Sequence, residues 1–249
     1  MTLRRPLLLV VLAAASCVAG TFLLVPFWPQ DPAYHQFADR RTMFGIPNAL
    51  NVLTNLPFLV VGALALGGLP RLRSTLAAGD RLAPAVVFGV GMVLTSIGSS
   101  IYHWNPTNET LALDRGGMVV ALMAMVALLV GAFIGEHVNA TLVIAEAIGI
   151  GSVLWWRQSG DLRFYGVVQF FPGALMILLS VFARSRYRAT WKLGIVIACY
   201  AIAKVCEIYD RAIDDALAHV VSGHSLKHLV AAAASLVIWW WVGGPSPES

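Results

Sequence analysis

Residues 82–103 read LAPAVVFGVGMVLTSIGSSIYH, a run with no acidic or basic side chain until the histidine that closes it. A helix needs roughly 20 consecutive apolar residues to cross the hydrocarbon of a bilayer, so 82–102 reads as a membrane span with His103 at its end. Working outward, runs of similar character occur near 6–28, 45–69, 115–135, 138–156, 164–183, 190–209 and 225–243. That makes eight expected spans. Of the 249 residues 58% are hydrophobic and only 12% charged, whereas about a quarter of a soluble domain is charged. The mean hydropathy is +0.75. The fold class that follows is all-α: a polytopic membrane helical bundle.

The net charge of +4 does not indicate nucleic acid, because the basic residues are scattered in short stretches between spans and form no stripe interleaved with aromatics. They read instead as topology. If every span crosses, Arg4, Arg5, Arg71, Arg73, Arg81, Arg184, Arg186, Arg188 and Lys192 fall on one side, which the positive-inside rule makes cytoplasmic. The N-terminus is then cytoplasmic as well. Residues 1–28 form an N-terminal transmembrane helix or a signal anchor, with a cleaved signal peptide as the alternative. Residues 29–243 form the main helical domain and 244–249 a short tail. Cys17, Cys199 and Cys206 lie in or beside apolar stretches and give no disulfide framework or metal spacing. The paired tryptophans Trp155-Trp156 and the run Trp239–Trp241 sit at span ends, as an aromatic belt does.

Histidine is expensive inside a bilayer, where ionisable groups persist chiefly for function. Of six histidines, His103 ends the third span while His224 and His228 begin the eighth, all on the non-cytoplasmic side. His224 and His228 are four residues apart, one helical turn, and so share a face. Zinc favours nitrogen ligands and at catalytic sites takes three protein ligands and a water. A lone interfacial histidine would mean little. Three at one depth, with Asp114 at the mouth of the fourth span, favour a metal. Ser99 lies one turn deeper than His103 on the same face. Asp114 needs a partner, and adjacent residues on a helix point apart, so Arg115 is a poor one.

The set Ser99-x-x-x-His103, Asp114, and His224-x-x-x-His228 resembles the alkaline ceramidase family, part of a superfamily of membrane zinc hydrolases that also holds the adiponectin-type receptors. Residues 44–55, FGIPNALNVLTN, are similar to the asparagine-bearing start of that family's first core helix. The resemblance covers roughly residues 28–243. It implies a seven-helix core, here with one extra N-terminal helix, and zinc on His103, His224 and His228. It further implies Asp114 acting on the metal's water, Ser99 stabilising the oxyanion, and a membrane lipid substrate such as ceramide or another N-acyl lipid, cleaved to fatty acid and amine. The family's animal members carry an acidic calcium-binding stretch before the first core helix. This chain has only Asp31 and Asp39 there, with Asn48 where another acid is expected, and calcium usually takes several carboxylates. A calcium site is therefore not expected.

Two other readings remain in play. One is a receptor or sensor whose zinc cage is structural, against which Ser99 and Asp114 argue. The other is a transporter or proton relay using Glu146, Lys204 and Glu207, against which the lack of an internal repeat or a broken helix pair argues. Lys204 and Glu207 read as an ion pair, and Tyr165 as a residue near the substrate. Asn48, Asn51 and Asn55 share a helical face and are expected to bond across helices. His35 reads as an exposed loop residue.

Overall fold

A computed structural model describes residues 4–70, 81–186 and 189–243. Arg71, Arg73, Arg188 and the tail 244–249, used above for topology and domain limits, lie outside the described residues. The elements are α1 (Arg4–Leu24), a 3₁₀ turn (Pro32–His35), α2 (Ala49–Leu53), α3 (Leu56–Gly67), α4 (Leu82–Trp104), α5 (Asn108–Phe133), α6 (Val138–Ser159), α7 (Arg163–Phe182), α8 (Trp191–Ile208), α9 (Asp210–Ala216) and α10 (Gly223–Val242). The result is an all-α bundle. Among the described residues, seven stretches are long and apolar enough to cross a membrane, with α2 and α3 counting as one. That is consistent with an integral, multi-pass membrane protein. The remaining expected span, the seventh at 190–209, is α8, which has the length but carries Lys192, Lys204 and Glu207.

Centre and periphery differ sharply. In α5, 78% of the most apolar window is buried, against 6% in α1. So α5 is the core helix, while α1 leans chiefly on α7 and keeps Leu8, Leu9, Leu12, Leu23 and Leu24 outward. Around α5 the packing runs α3 on α4, α4 on α5, α5 on α6, and α6 on α7; on the other side α8 packs on α10, and α10 on α3. The ring is loosest between α7 and α8, where Phe170 meets Tyr200 edge to face at 6.3 Å.

The α4–α5 contact is the most extensive in the molecule, and glycine makes it possible. A Cβ on Gly91 would meet the backbone of Ala121, one on Gly117 the backbone of Leu94 and Thr95, and one on Gly98 the carbonyl of Leu113. Small residues let membrane helices approach until backbones touch. Ser99 and Asp114 follow directly on the two sides of the last of these contacts. Gly98→Val should force the helices apart at a cost of about 1–3 kcal/mol, as overpacking does. The lowered unfolding midpoint in detergent is the measurement.

Four boundaries differ from expectation. The fourth span begins at Asn108 rather than 115, because Thr107 and Thr110 form a reciprocal cap at its N-terminus. Asp114 is consequently two turns inside the helix instead of at its mouth. The second span is broken: α2 stops at Leu53, and α3 restarts with Pro57 in its first turn, where a missing N–H costs nothing. A further break separates α8 from α9 at Tyr209. These interruptions remove the unbroken-helix argument against a transporter, although two of the three charges it would use, Lys204 and Glu207, are tied to each other. Finally, α1 ends at Leu24, short of residue 28.

Candidate metal centre

His103 occupies the last turn of α4, and the chain holds that end in place from outside. Asn48, whose left-handed backbone (φ 48°) suits asparagine, donates from Nδ2 to the His103 carbonyl at 2.8 Å. His224 and His228 occupy the first two turns of α10. Ser222 caps this helix by accepting from Ser225 N at 3.1 Å, and Asp210 Oδ1 accepts from His224 N at 2.7 Å. The other oxygen of Asp210 accepts from Ala38 N at 2.9 Å. One carboxylate thereby ties the loop before α2 to the start of α10. Ser225 donates to Asn51 Oδ1 at 2.8 Å, which locks the turn between the two histidines against α2.

The three imidazoles converge. All are buried, and their ligand atoms lie within 4.8 Å of one another. His103 Nε2 and His224 Nε2 are 3.3 Å apart. Zinc–nitrogen bonds of about 2.0–2.1 Å at a tetrahedral angle would separate two nitrogens by about 3.3–3.4 Å. The spacing fits a tetrahedral ion. Thr54 fixes the protonation of the third ring: its hydroxyl donates to Leu50 O at 2.7 Å, so its oxygen accepts from His228 Nδ1 at 2.9 Å. That bond leaves Nε2 of His228 bare, the form a metal ligand requires. The Phe37 ring lies 4.6 Å from that of His103 and 5.0 Å from that of His224, shielding the cluster. A buried group of three histidines able to hold a metal ion is therefore present.

Ser99 and Asp114 flank the Gly98–Leu113 contact between α4 and α5. Both line a largely apolar cavity of about 170 Å³ that reaches His228 and is walled by Phe58, Phe88 and Met92. A second cavity, of about 250 Å³, lies between α5, α7, α8 and α10. Asp114 and Lys227 line both. Lys227 Nζ stands 3.5 Å from His224 Nε2 and donates to Glu207 Oε1 at 2.8 Å. Glu207 also pairs with Lys204 and accepts from Tyr34 OH at 3.2 Å.

Arg115 points away from Asp114 into the second cavity. Its guanidinium lies 4.0 Å from the Trp156 ring and 4.6 Å from that of Tyr165, and Nη2 donates to Gln30 Oε1 at 2.6 Å. Such cation–π contacts contribute about 0.5–2 kcal/mol each. Nη1 has no hydrogen-bond partner among the described residues, although Arg115 is only 5% exposed.

No family model matches the chain, and no curated protein matches it.

The site rests on its own geometry. The structure brings together all five residues singled out in the sequence, and it corrects several neighbours. His35 is not a free loop histidine: Nδ1 meets Tyr102 OH at 3.0 Å and Nε2 meets Asn108 Oδ1 at 3.1 Å. Trp156 and Trp241 are buried, so the belt reading holds only for their exposed neighbours Trp155 and Trp240. Asn51 does bond across helices, whereas Asn55 Nδ2 donates within its own segment, to Asn51 O at 2.8 Å. Tyr165 serves as a wall for Arg115. Glu146 Oε1 has no partner among the described residues. Phe37, Thr54, Asp210 and Lys227 gave no functional signal in the sequence; of these only Lys227, one turn from His224 in an apolar helix, had a spacing that pointed to the site.

Proposed function

We propose that this protein is a zinc-dependent membrane hydrolase that cleaves the amide bond of ceramide or a similar N-acyl lipid to a fatty acid and an amine. The observation that carries the reading is the convergence of His103, His224 and His228 within 4.8 Å, with His103 and His224 at tetrahedral spacing, beside Ser99 and Asp114 where an apolar and a polar cavity meet. When bound, zinc supplies a Lewis acid for the acyl carbonyl and lowers the pKa of water at its open position toward neutrality. The chain's own groups do the rest. Asp114 takes a proton from the attacking water and delivers it to the leaving nitrogen. The Ser99 hydroxyl donates to the carbonyl oxygen as negative charge builds there, a role typically contributing a few kcal/mol. Lys227, held by Glu207, adds positive charge beside the cluster. Burial of the site keeps bulk water from weakening these interactions.

The apolar cavity suits an acyl chain, and the weakly packed α7–α8 side supports entry of a substrate from the bilayer. The arginine distribution supports an active site toward the non-cytoplasmic side. Ser99 and Asp114 favour an enzyme over a receptor, since a structural zinc cage needs neither.

Two measurements on detergent-purified protein test this. Elemental analysis should give about one zinc per chain, as a single three-histidine site requires. The zinc-loaded protein should release fatty acid from members of a panel of N-acyl lipids. Protein without stoichiometric zinc sinks the proposal, and zinc without cleavage of any lipid shifts it to the receptor reading.

A further inference from the structure

The second cavity adjoins the apolar one along Asp114 and Lys227, and Arg115, which lines it, keeps a buried donor without a partner among the described residues. Three cations and three acids line it, but most are already matched. Glu207 accepts from both Lys204 and Lys227. Asp31 Oδ1 accepts from Ala33 N at 2.8 Å, at the cap of the 3₁₀ turn. Asp114 is shared with the apolar cavity. The Arg115 guanidinium lies over the rings of both Trp156 and Tyr165, and Nη2 is taken by Gln30. What remains is Nη1, a charged N–H in a 5%-exposed residue, without a partner among the described residues. A guanidinium presents its donors in a rigid fork that matches carboxylate and phosphate oxygens. An amide or a hydroxyl on the substrate would offer this donor an uncharged acceptor, whereas an oxyanion offers the stronger, charge-assisted one.

We propose that Arg115 binds an oxyanion, a carboxylate or a phosphate, carried on the amine portion of the lipid, which makes the preferred substrates acidic N-acyl lipids such as N-acyl amino acids. The placement of the scissile bond rests on the hydrolase reading; the anion site does not. The rigidity of the Trp156–Arg115–Tyr165 stack means that the pocket is built before the ligand arrives. Gln30 fixes the remaining rotation of the guanidinium.

Calorimetric titration of the zinc-loaded full chain in detergent tests this with three ligands sharing one acyl chain: N-oleoylglycine, the O-phosphate of N-oleoylethanolamine, and neutral N-oleoylethanolamine. At least one acidic ligand should bind about tenfold or more tightly than the neutral one, as a charge-assisted bond to a buried guanidinium allows. In Arg115→Gln the ratio should collapse toward one. Arg115→Lys, which keeps the charge but loses the fork, should retain part of it and guards against a mere packing defect. Equal binding of all three, or a preference that survives in Arg115→Gln, overturns the proposal. Inorganic phosphate producing the same saturable heat at the concentrations where the lipids act would make this a small-anion site and overturn it too. Fatty acid release is scored separately. Anion preference without any cleavage removes the hydrolase reading and leaves this one, and cleavage of the neutral amide without anion preference does the reverse.

Discussion

His103→Ala is expected to lower zinc affinity by two to three orders of magnitude. Structural zinc binding is worth roughly 10–16 kcal/mol over four ligands, so one nitrogen accounts for about 3–4 kcal/mol of it. Elemental analysis after dialysis against a weak chelator reads the loss. His224→Ala and His228→Ala should behave alike, since all three rings contribute to one buried cluster. Thr54→Val is the graded comparison: it removes only the acceptor that sets the His228 tautomer, and loss of such an outer-shell partner typically costs about 10–100-fold in affinity. A series in which His103→Ala keeps full zinc while Thr54→Val loses it would mean that the ion sits elsewhere.

Asp114→Asn should give the opposite pattern, full zinc and almost no turnover. The amide matches the carboxylate in shape, so folding and metal content are preserved. What it cannot do is carry a proton from water to the leaving nitrogen, and general acid–base groups contribute about 10²–10⁴-fold to rate. Fatty acid release per zinc is the quantity to compare. Turnover within a few-fold of the parent would remove Asp114 from the reaction and leave it a packing residue.

How far the sequence reached can be seen helix by helix. The apolar runs made the bundle legible, because a bilayer demands long uncharged helices and few other sequences satisfy it. The His224–His228 spacing was readable because a helix repeats its face every turn. Asp114 was placed wrongly, at a helix mouth, since the start of α5 is set by hydroxyl capping at Thr107 and Thr110, to which hydropathy is blind. The break after Leu53 went unread for a similar reason: Pro57 sits where either a kink or a fresh helix start would tolerate it. Phe37, Thr54 and Asp210 reach the centre from loops and helix ends. Their contacts depend on how separate segments meet, which no local period encodes. Trp156 shows the limit most plainly, being a belt residue by position and one wall of a buried arginine stack in the fold.

The histidine cluster joins two separately packed pairs of helices. His103 belongs to α4, which packs most extensively on α5, while His224 and His228 belong to α10, which packs on α8. Direct backbone contact between α4 and α10 is slight, with α2 and α3 lying between them. A bound ion would therefore act as a rivet through the two halves, with Asp114 fixed to one half and Lys227 to the other. Charging the centre would add one direct tie between α4 and α10 to those already made through the α2 segment by Asn48, Asn51 and Thr54.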